Sequence, residues 1–396
     1  MSFLSAQMFI FAAPVIAVNV LAASDSEVGL LNAASGLGTL VFLLALGWIA
    51  DFRRKDIVLG MISVFRGAVM ALLSYACYTG GLELWHIILA SFIIAGVTAV
   101  YDSSFSAAVP SLLDDVILPR ANTWIASLRS VADIGAGSIA GVILARWGEA
   151  PCLIVLAAMY FMASLAPFGM RNHMNYQDSK GGDGLVVEYK GVWSGFKYLG
   201  IDRMQRAITA SIAHFNLFTA AIQALYVVYA IRYVGMSAFE LGLAVGLGGL
   251  IAAASISISN RIISAYRPVT VLWLTFFVPG LAGPGMLLLQ DIPHALGVIV
   301  MGLILAIWAF CMLTNMSICE TIKQVYVPRS VIGRFSSASR IITWGADPIG
   351  AGIAAFAVAF ISIHYVMVAC FAGILVSAIW VLLSPEVRSI KVGVVS

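Results

Sequence analysis

PRANTWIASLRSVADIGAGSIAG at residues 119–141 and IGRFSSASRIITWGADPIGAGIAA at residues 332–355 read as two versions of one passage. They align without a gap, Arg120 falling on Arg334 and Asp133 on Asp347, and small residues cluster after each acid. A second block precedes each of them. Asp102 stands eight residues before Pro110 in YDSSFSAAVP, and Glu320 stands eight residues before Pro328 in ETIKQVYVP. Chance supplies one such match more easily than two in the same order. The pattern therefore predicts a chain built from two repeated halves, with each copy of the passage set in apolar sequence.

Outward from these blocks the chain stays apolar. Of its 396 residues, 61% are hydrophobic and only 10% charged, against ~25% charged in a soluble globular chain. That balance excludes a soluble two-domain enzyme, a disordered chain and a disulfide scaffold. Cut where polar and turn residues gather, the sequence gives twelve runs near 2–22, 28–50, 57–78, 85–108, 121–145, 151–169, 206–231, 237–258, 268–288, 295–317, 333–358 and 364–384. Each approaches the ~20 apolar residues that a bilayer crossing needs. They are read as helices, because a crossing segment must satisfy its own backbone hydrogen bonds. A membrane barrel would instead show ~10-residue alternating strands. The first run ends in the small residues Ala22, Ala23 and Ser24, as a signal peptide would, but no basic residue precedes it, so it is taken as a span. It begins almost at Met1, and a few cytoplasmic residues are expected to be missing from this start.

Lysine and arginine orient the spans. Only Arg146 and Arg232 fall on one side, and Arg66 and Arg129 lie inside runs; the rest of the 22 fall on the other side. Basic residues accumulate in cytoplasmic loops, so both termini are placed in the cytoplasm and the protein in the inner (plasma) membrane. The longest connection contains MNYQDSKGGDG and then VEYKGVWSGFKYLGIDRMQR, which reads as a basic, aromatic helix on the cytoplasmic surface. The expected domains are a six-helix bundle at 1–169, a linker at 170–205 and a second bundle at 206–396.

Several function classes drop out. The net charge is only +3 with dispersed basic residues, so nucleic acid is not a partner. Neither G-x-x-x-x-G-K-[ST] nor H-E-x-x-H nor G-x-S-x-G occurs, so no catalytic residues, no cofactor and no enzyme activity are expected. The five cysteines show no metal spacing and are read as buried thiols. The remaining metal option is a meeting of two carboxylates with His214, and no metal site is assigned.

At the connection GWIADFRRKD (47–56), and again in the two repeated passages, the chain resembles the major facilitator superfamily. The resemblance implies an all-α integral membrane fold of twelve helices in two pseudo-symmetric bundles, with a central site alternately exposed to each side. The repeated passages look like the branch holding macrolide-type drug exporters and siderophore exporters. In the family's loop motif G-x-x-x-D-[RK]-x-G-[RK]-[RK], Gly47, Asp51 and Lys55 fit, while Phe52, Arg54 and Asp56 depart. Such a loop and its neighbours lock the cytoplasmic ends in the family, which makes Gly47, Asp51, Arg54, Lys55, Asp102, Glu320 and Arg334 candidates for a cytoplasmic gate. The fifth-span antiporter motif G-P-x-x-G-G departs: Ala136-Gly137 and Ala140-Gly141 stand in its place.

Charges at mid-span cost ~2.5–3.5 kcal/mol on insertion scales. They call for a partner or a wetted cavity. Arg129 and Asp133 share a helix face and can pair, either to anchor helix packing or to line the cavity and meet substrate charge. Asp347 has its nearest basic residue, Arg340, two turns away. It is read as a group that gains and loses a proton, with Asp133 as its counterpart, or else as a hydrogen-bonded cap near Pro348. Arg66 is expected to tie to Asp102 or Asp133. Asn216, Gln223 and Tyr226 in the seventh run and Trp308 in the tenth join Arg129 as candidate substrate contacts, with His214, Asn315, Gln7 and Asn19 as further polar interruptions. A lone membrane Asn or His serves equally as an interhelical hydrogen bond, and Gly137-x-x-x-Gly141 as close helix packing.

The combined expectation is a monomeric, proton-coupled exporter of an amphipathic small molecule, surrounded by membrane lipid. Importers, lipid flippases and non-transporting membrane scaffolds are the rival readings.

Overall fold

The structure is a computed structural model that describes residues 1–46, 54–112, 118–170, 189–328 and 331–390. The helices are α1 (Ser2–Asn19), α2 (Asp25–Leu46), α3 (Lys55–Tyr78), α4 (Leu84–Leu112), α5 (Leu118–Trp147), α6 (Glu149–Met170), α7 (Tyr189–Ile201) and α8 (Arg203–Val228). They continue with α9 (Ala238–Ala254), α10 (Ile256–Ala265), α11 (Pro268–Ala282), α12 (His294–Tyr326), α13 (Ile332–Val358), α14 (Ile363–Ser377), α15 (Ile379–Leu383) and α16 (Pro385–Arg388). No strand occurs among the described residues. Ten of the described helical stretches are long and apolar enough to cross a membrane, and α9 is a shorter apolar helix. The all-α integral membrane class expected from composition is therefore what is observed.

Two segments differ from the runs read in the sequence, each for a local reason. The run 237–258 is interrupted at Ser255, whose hydroxyl donates to the carbonyl of Ile251 at 2.7 Å; such back-bonding competes with the helical ladder. The run 268–288 leaves α-helix at Ala282 and continues as a 3-10 segment, Gly283–Asp291. Pro284 in that segment lacks the N–H that an α-turn would use.

The chain divides into two compact units. Unit 1 comprises Met1–Leu185 together with Ala230–Gly246; unit 2 comprises Val186–Tyr229 together with Leu247–Ser396. Within unit 1, α1 packs on α5, α2 on α4 and α3 on α6. Within unit 2, α8 packs on α13, α10 on α12 and α11 on α14. The same order of pairing recurs in both, which is the duplication carried into tertiary structure.

Helix starts repeat it too. Ser24 N and Oγ donate to Glu27 Oε2 at 2.7 and 2.8 Å, and Glu27 N donates back to Ser24 Oγ. Ser237 and Glu240 do the same at the head of α9. Both are capping boxes, which satisfy orphan backbone donors of the first turn.

The linker helix α7 belongs to unit 2 by packing. Gly195 abuts the carbonyl of Arg334, leaving no room for a Cβ. Tyr198 meets Phe335 edge-on at 5.8 Å, over an apolar cluster of Leu199, Val327 and Phe335. The polar stretch MNYQDSKGGDG lies outside the described residues.

Candidate functional site: the intramembrane charges

Unit 1 gathers its charges. Arg66, twelve residues into α3, is fully buried. Its Nη1 donates to Thr98 Oγ1 at 3.2 Å and its Nη2 to Ser2 Oγ at 2.7 Å. The guanidinium lies over the rings of Tyr101 and Tyr160 at 4.3 and 4.6 Å. Arginine suits this position because a planar, weakly hydrated cation can stack and still direct its donors sideways. The charges of Arg66 and Arg129 both act on Asp102 of α4. Arg129 Nη2 donates to Asp102 Oδ1 at 3.0 Å, with each side chain about one-third exposed (34% and 33%). Arg129 also lies 5.1 Å from the Phe3 ring centroid. Arg129 thus has a partner on another helix. The Asp133 side chain lies outside the described residues.

Asp102, a gate candidate, stands ten residues before the end of α4 at Leu112, and its carboxylate is engaged by Arg129. Arg66 does lie within electrostatic reach of Asp102, although aromatic rings and hydroxyls form its immediate surroundings.

Unit 2 is built differently. Ser339, Thr343 and Asp347 are spaced four apart and form one stripe of α13. The first two face α8: Ser339 Oγ is 3.2 Å from Thr209 Oγ1, and the Thr343 carbonyl accepts from Asn216 Nδ2 at 3.0 Å. Farther along, Gly350 meets the Leu217 carbonyl so closely that a Cβ would overlap it. Asp347 therefore sits between two points where α13 is held against α8. It is partly buried, and among the described residues it has no ion pair and no hydrogen-bond partner. Pro348 beside it removes the N–H that would bond the Trp344 carbonyl. Arg340, the nearest base on the helix, lies 5.5 Å from the Trp344 ring centroid instead.

The other candidates scatter. Asn216 spends its amide on α13 backbone, Gln223 is exposed, and Tyr226 is partly buried. Trp308 is buried, 6.4 Å from the Phe371 ring, and its indole N–H has no partner among the described residues. His214 accepts from Trp380 Nε1 at 3.1 Å, and Asn315 donates to Thr275 Oγ1 at 2.8 Å. Of the gate set, Gly47 and Asp51 lie outside the described residues. Arg54 pairs with Asp56 two residues on at 3.0 Å, Lys55 opens α3, and Arg334 is exposed. Glu320 pairs with Lys323 on its own helix at 2.5 Å. Among the described residues no cluster of His, Cys, Asp or Glu could hold a metal.

One polar group went unread in the sequence. Arg232 Nη1 pairs with Asp25 Oδ1, Arg232 Nη2 donates to the Ala23 carbonyl at 2.5 Å, and Tyr233 Oη donates to Asp25 Oδ2 at 2.8 Å. The signal available was that Arg232 is one of two bases on the sparsely charged side.

Residues 1–346 match the sequence profile of the Major Facilitator Superfamily. No curated protein sequence matches the chain. Among solved structures, a bacterial homologue of the iron transporter ferroportin, in an inward-facing state, superposes with a TM-score of 0.72 at 16% identity, covering 98% of this chain and 96% of that one. A bacterial homologue of the human lysosomal transporter Spinster gives 0.69 at 14% identity, covering 98% and 94%. A D-xylose-proton symporter gives 0.65 at 13%, covering 98% and 97%. At these identities the likeness is one of fold.

Proposed function

Because the chain belongs to the Major Facilitator Superfamily, it is a secondary transporter and not an enzyme, and we propose that it exports an amphipathic small molecule, a drug-like compound or a siderophore, in exchange for protons. The observation that carries this reading is Asp347: an acid inside a span, partly buried, with no cation and no hydrogen bond among the described residues. An intramembrane carboxylic acid of that kind is a functional position by default. Loading a proton neutralises it without stranding any counter-ion. Asp133 occupies the equivalent place in the first repeat and is the second proton-carrying candidate.

Arg129 and Asp102 supply the charge-recognising part. Their partial exposure leaves an edge of each group open to a ligand, while Arg66 keeps a fixed cation near Asp102 whether or not Arg129 turns away. The partly buried Tyr226 offers an aromatic face to an amphipathic cargo, and the buried Trp308 an indole N–H without a partner among the described residues. The protein works as a monomer in the inner membrane with both termini in the cytoplasm, the side to which the basic loops assign them.

Proton-coupled import is the second reading. It is favoured by the fifth-span run GAGSIAG, which departs from the antiporter pattern, and by the likeness in fold to a proton symporter. Flux direction separates the two. Purified protein in proteoliposomes is given a macrolide or a hydroxamate siderophore with and without an imposed pH gradient. The wild type should move one of them against its gradient in exchange for protons. Asp347→Asn should lower gradient-driven flux by about tenfold or more, equivalent to ~1.4 kcal/mol on the limiting barrier, while gradient-free counterflow persists. Undiminished gradient-driven flux in Asp347→Asn would end the proton role.

A further inference from the structure

The path of the chain between the two units is unusual. It leaves unit 2 after Tyr229, runs through unit 1 from Ala230 to Gly246, and returns to unit 2 at Leu247. Each crossing falls on a point where a helix can bend. The first is a π-helical turn, Tyr229–Tyr233, which continues α8; such turns are rare and frequent at functional sites. The second lies inside α9, in the sequence Gly246-Leu247-Gly248-Gly249, where glycine lowers the resistance of a helix to kinking.

The π-turn is held at both ends. Tyr229 belongs to unit 2: its hydroxyl accepts from Gln290 Nε2 at 2.5 Å and donates to the Leu287 carbonyl at 3.3 Å. Three residues on, Arg232 belongs to unit 1. It pairs with Asp25 and donates to the Ala23 carbonyl, beside Ala22, which holds a left-handed backbone at φ 49. Tyr233 adds a second bond to Asp25. The rest of the inserted segment is seated by close contact. A Cβ on Gly141 would lie 2.6 Å from the Ala238 carbonyl oxygen, one on Gly242 would lie 2.7 Å from that of Gly137, and Ser138 Oγ donates to the Gly242 carbonyl at 2.8 Å.

We infer that Asp25, Arg232 and Tyr233 are gate residues: they latch the segment Ala230–Gly246 onto unit 1 at the membrane face opposite Arg54 and Lys55, and that face opens when the latch parts and the segment swings on its two bending points. Asp25 opens α2 and Arg54 lies beyond its other end, which fixes the face. The latch rests on the alternating-access reading of the chain and not on Asp347. Ser138 reports its state, because its hydroxyl is covered by Gly242 only while the segment is seated.

The test uses the full chain in membrane vesicles, with its five native cysteines replaced and Ser138→Cys as the reporter, labelled with a membrane-impermeant maleimide. Labelling should be slow with the latch intact. Asp25→Asn and Arg232→Gln should each raise the rate about fivefold or more, and the swap Asp25→Arg with Arg232→Asp should bring it back down. Equal rates in the parent and both single variants overturn the latch. A swap as fast as the single variants overturns the ion pair as its basis. Should Asp25→Asn not fold, Tyr233→Phe removes one bond of the latch and should give a smaller rise; no rise overturns the proposal. Asp347→Asn in the same background should leave the ratios unchanged, so a failed latch and a failed proton site are told apart.

Discussion

Asp102 and Asp347 are both carboxylates on the fourth and eleventh of the chain's expected crossings, and the protein treats them in opposite ways. Asp102 has Arg129 in contact and the buried Arg66 nearby, the latter boxed by Tyr101 and Tyr160. Asp347 has α8 contacts on either side of it, the Asn216 amide at Thr343 and the Leu217 carbonyl at Gly350, and no counter-ion among the described residues. A cluster of paired charges favours one arrangement, since removing a member strands the others at high cost. A solitary acid has no such penalty attached to changing its charge. The duplicated scaffold has thus put paired charges in one half and, in the other, an acid without a counter-ion among the described residues.

The comparison breaks most visibly at Arg66. Arg66→Ala removes two hydrogen bonds and two ring contacts from a fully buried site, and should lower stability by about 3 kcal/mol. Arg66→Lys keeps the charge but neither the fork nor the stacking, and should recover about half. Asp347→Asn should move the unfolding midpoint by the equivalent of less than about 1 kcal/mol. Thermal unfolding of the three variants in detergent makes the comparison. Similar losses for Arg66→Ala and Asp347→Asn would mean that the two halves do not divide the roles in this way.

The sequence carried these two sites unequally. The distance of Asp347 from Arg340 was legible, because helical spacing alone puts that arginine too far along α13, and it is found at Trp344. The contact of Arg129 with Asp102 was not. Spacing ranks neighbours on one helix and offers Asp133, whose side chain lies outside the described residues; Asp102 is 27 positions away on α4, and its contact depends on how α4 and α5 pack. Hydropathy alone ends the fourth run at 108, whereas the α4 backbone stays helical through Pro110 to Leu112. The spans and the duplication were readable, since bilayer thickness and the repeat impose long-range order on the sequence. The Ser24–Glu27 and Ser237–Glu240 capping boxes were equally readable and mark the same duplication at a second place. The pairing of Asp25 with Arg232 links positions far apart in the chain, which no local period reports.

A finer division concerns how α13 is held. If Asn216 is a strut rather than a ligand contact, Asn216→Ala should cost about 0.6–1 kcal/mol, the usual worth of one hydrogen bond between membrane helices. It should leave counterflow of the transported compound at wild-type affinity. A large rise in KM with unchanged stability would return Asn216 to the substrate site and bring unit 2 closer to unit 1 in character.

The smallest effect lies outside the bilayer, where α7 is fastened to the start of α13. Burial, together with the hydrogen bond and the charge of Asp202, pushes the Tyr198 phenol up from its ordinary 10 to about 12. Tyr198 donates to Asp202 Oδ2 at 3.0 Å while Asp202 Oδ1 caps α8 through Gln205 N, so the phenol braces the residue that starts that helix. A raised pKa in the folded state means that the fold holds this proton more tightly than the unfolded chain does. Its stabilisation is complete below pH ~10 and is lost as pH rises through about 12. Tyr198→Phe should cost only ~0.5 kcal/mol at neutral pH, because the group is near solvent. It should also flatten the alkaline decline in unfolding midpoint between those limits. A variant with the full wild-type decline would show that the alkaline loss arises elsewhere, and that the joint between α7 and α13 rests on the Phe335 contact and the Gly195 seat alone.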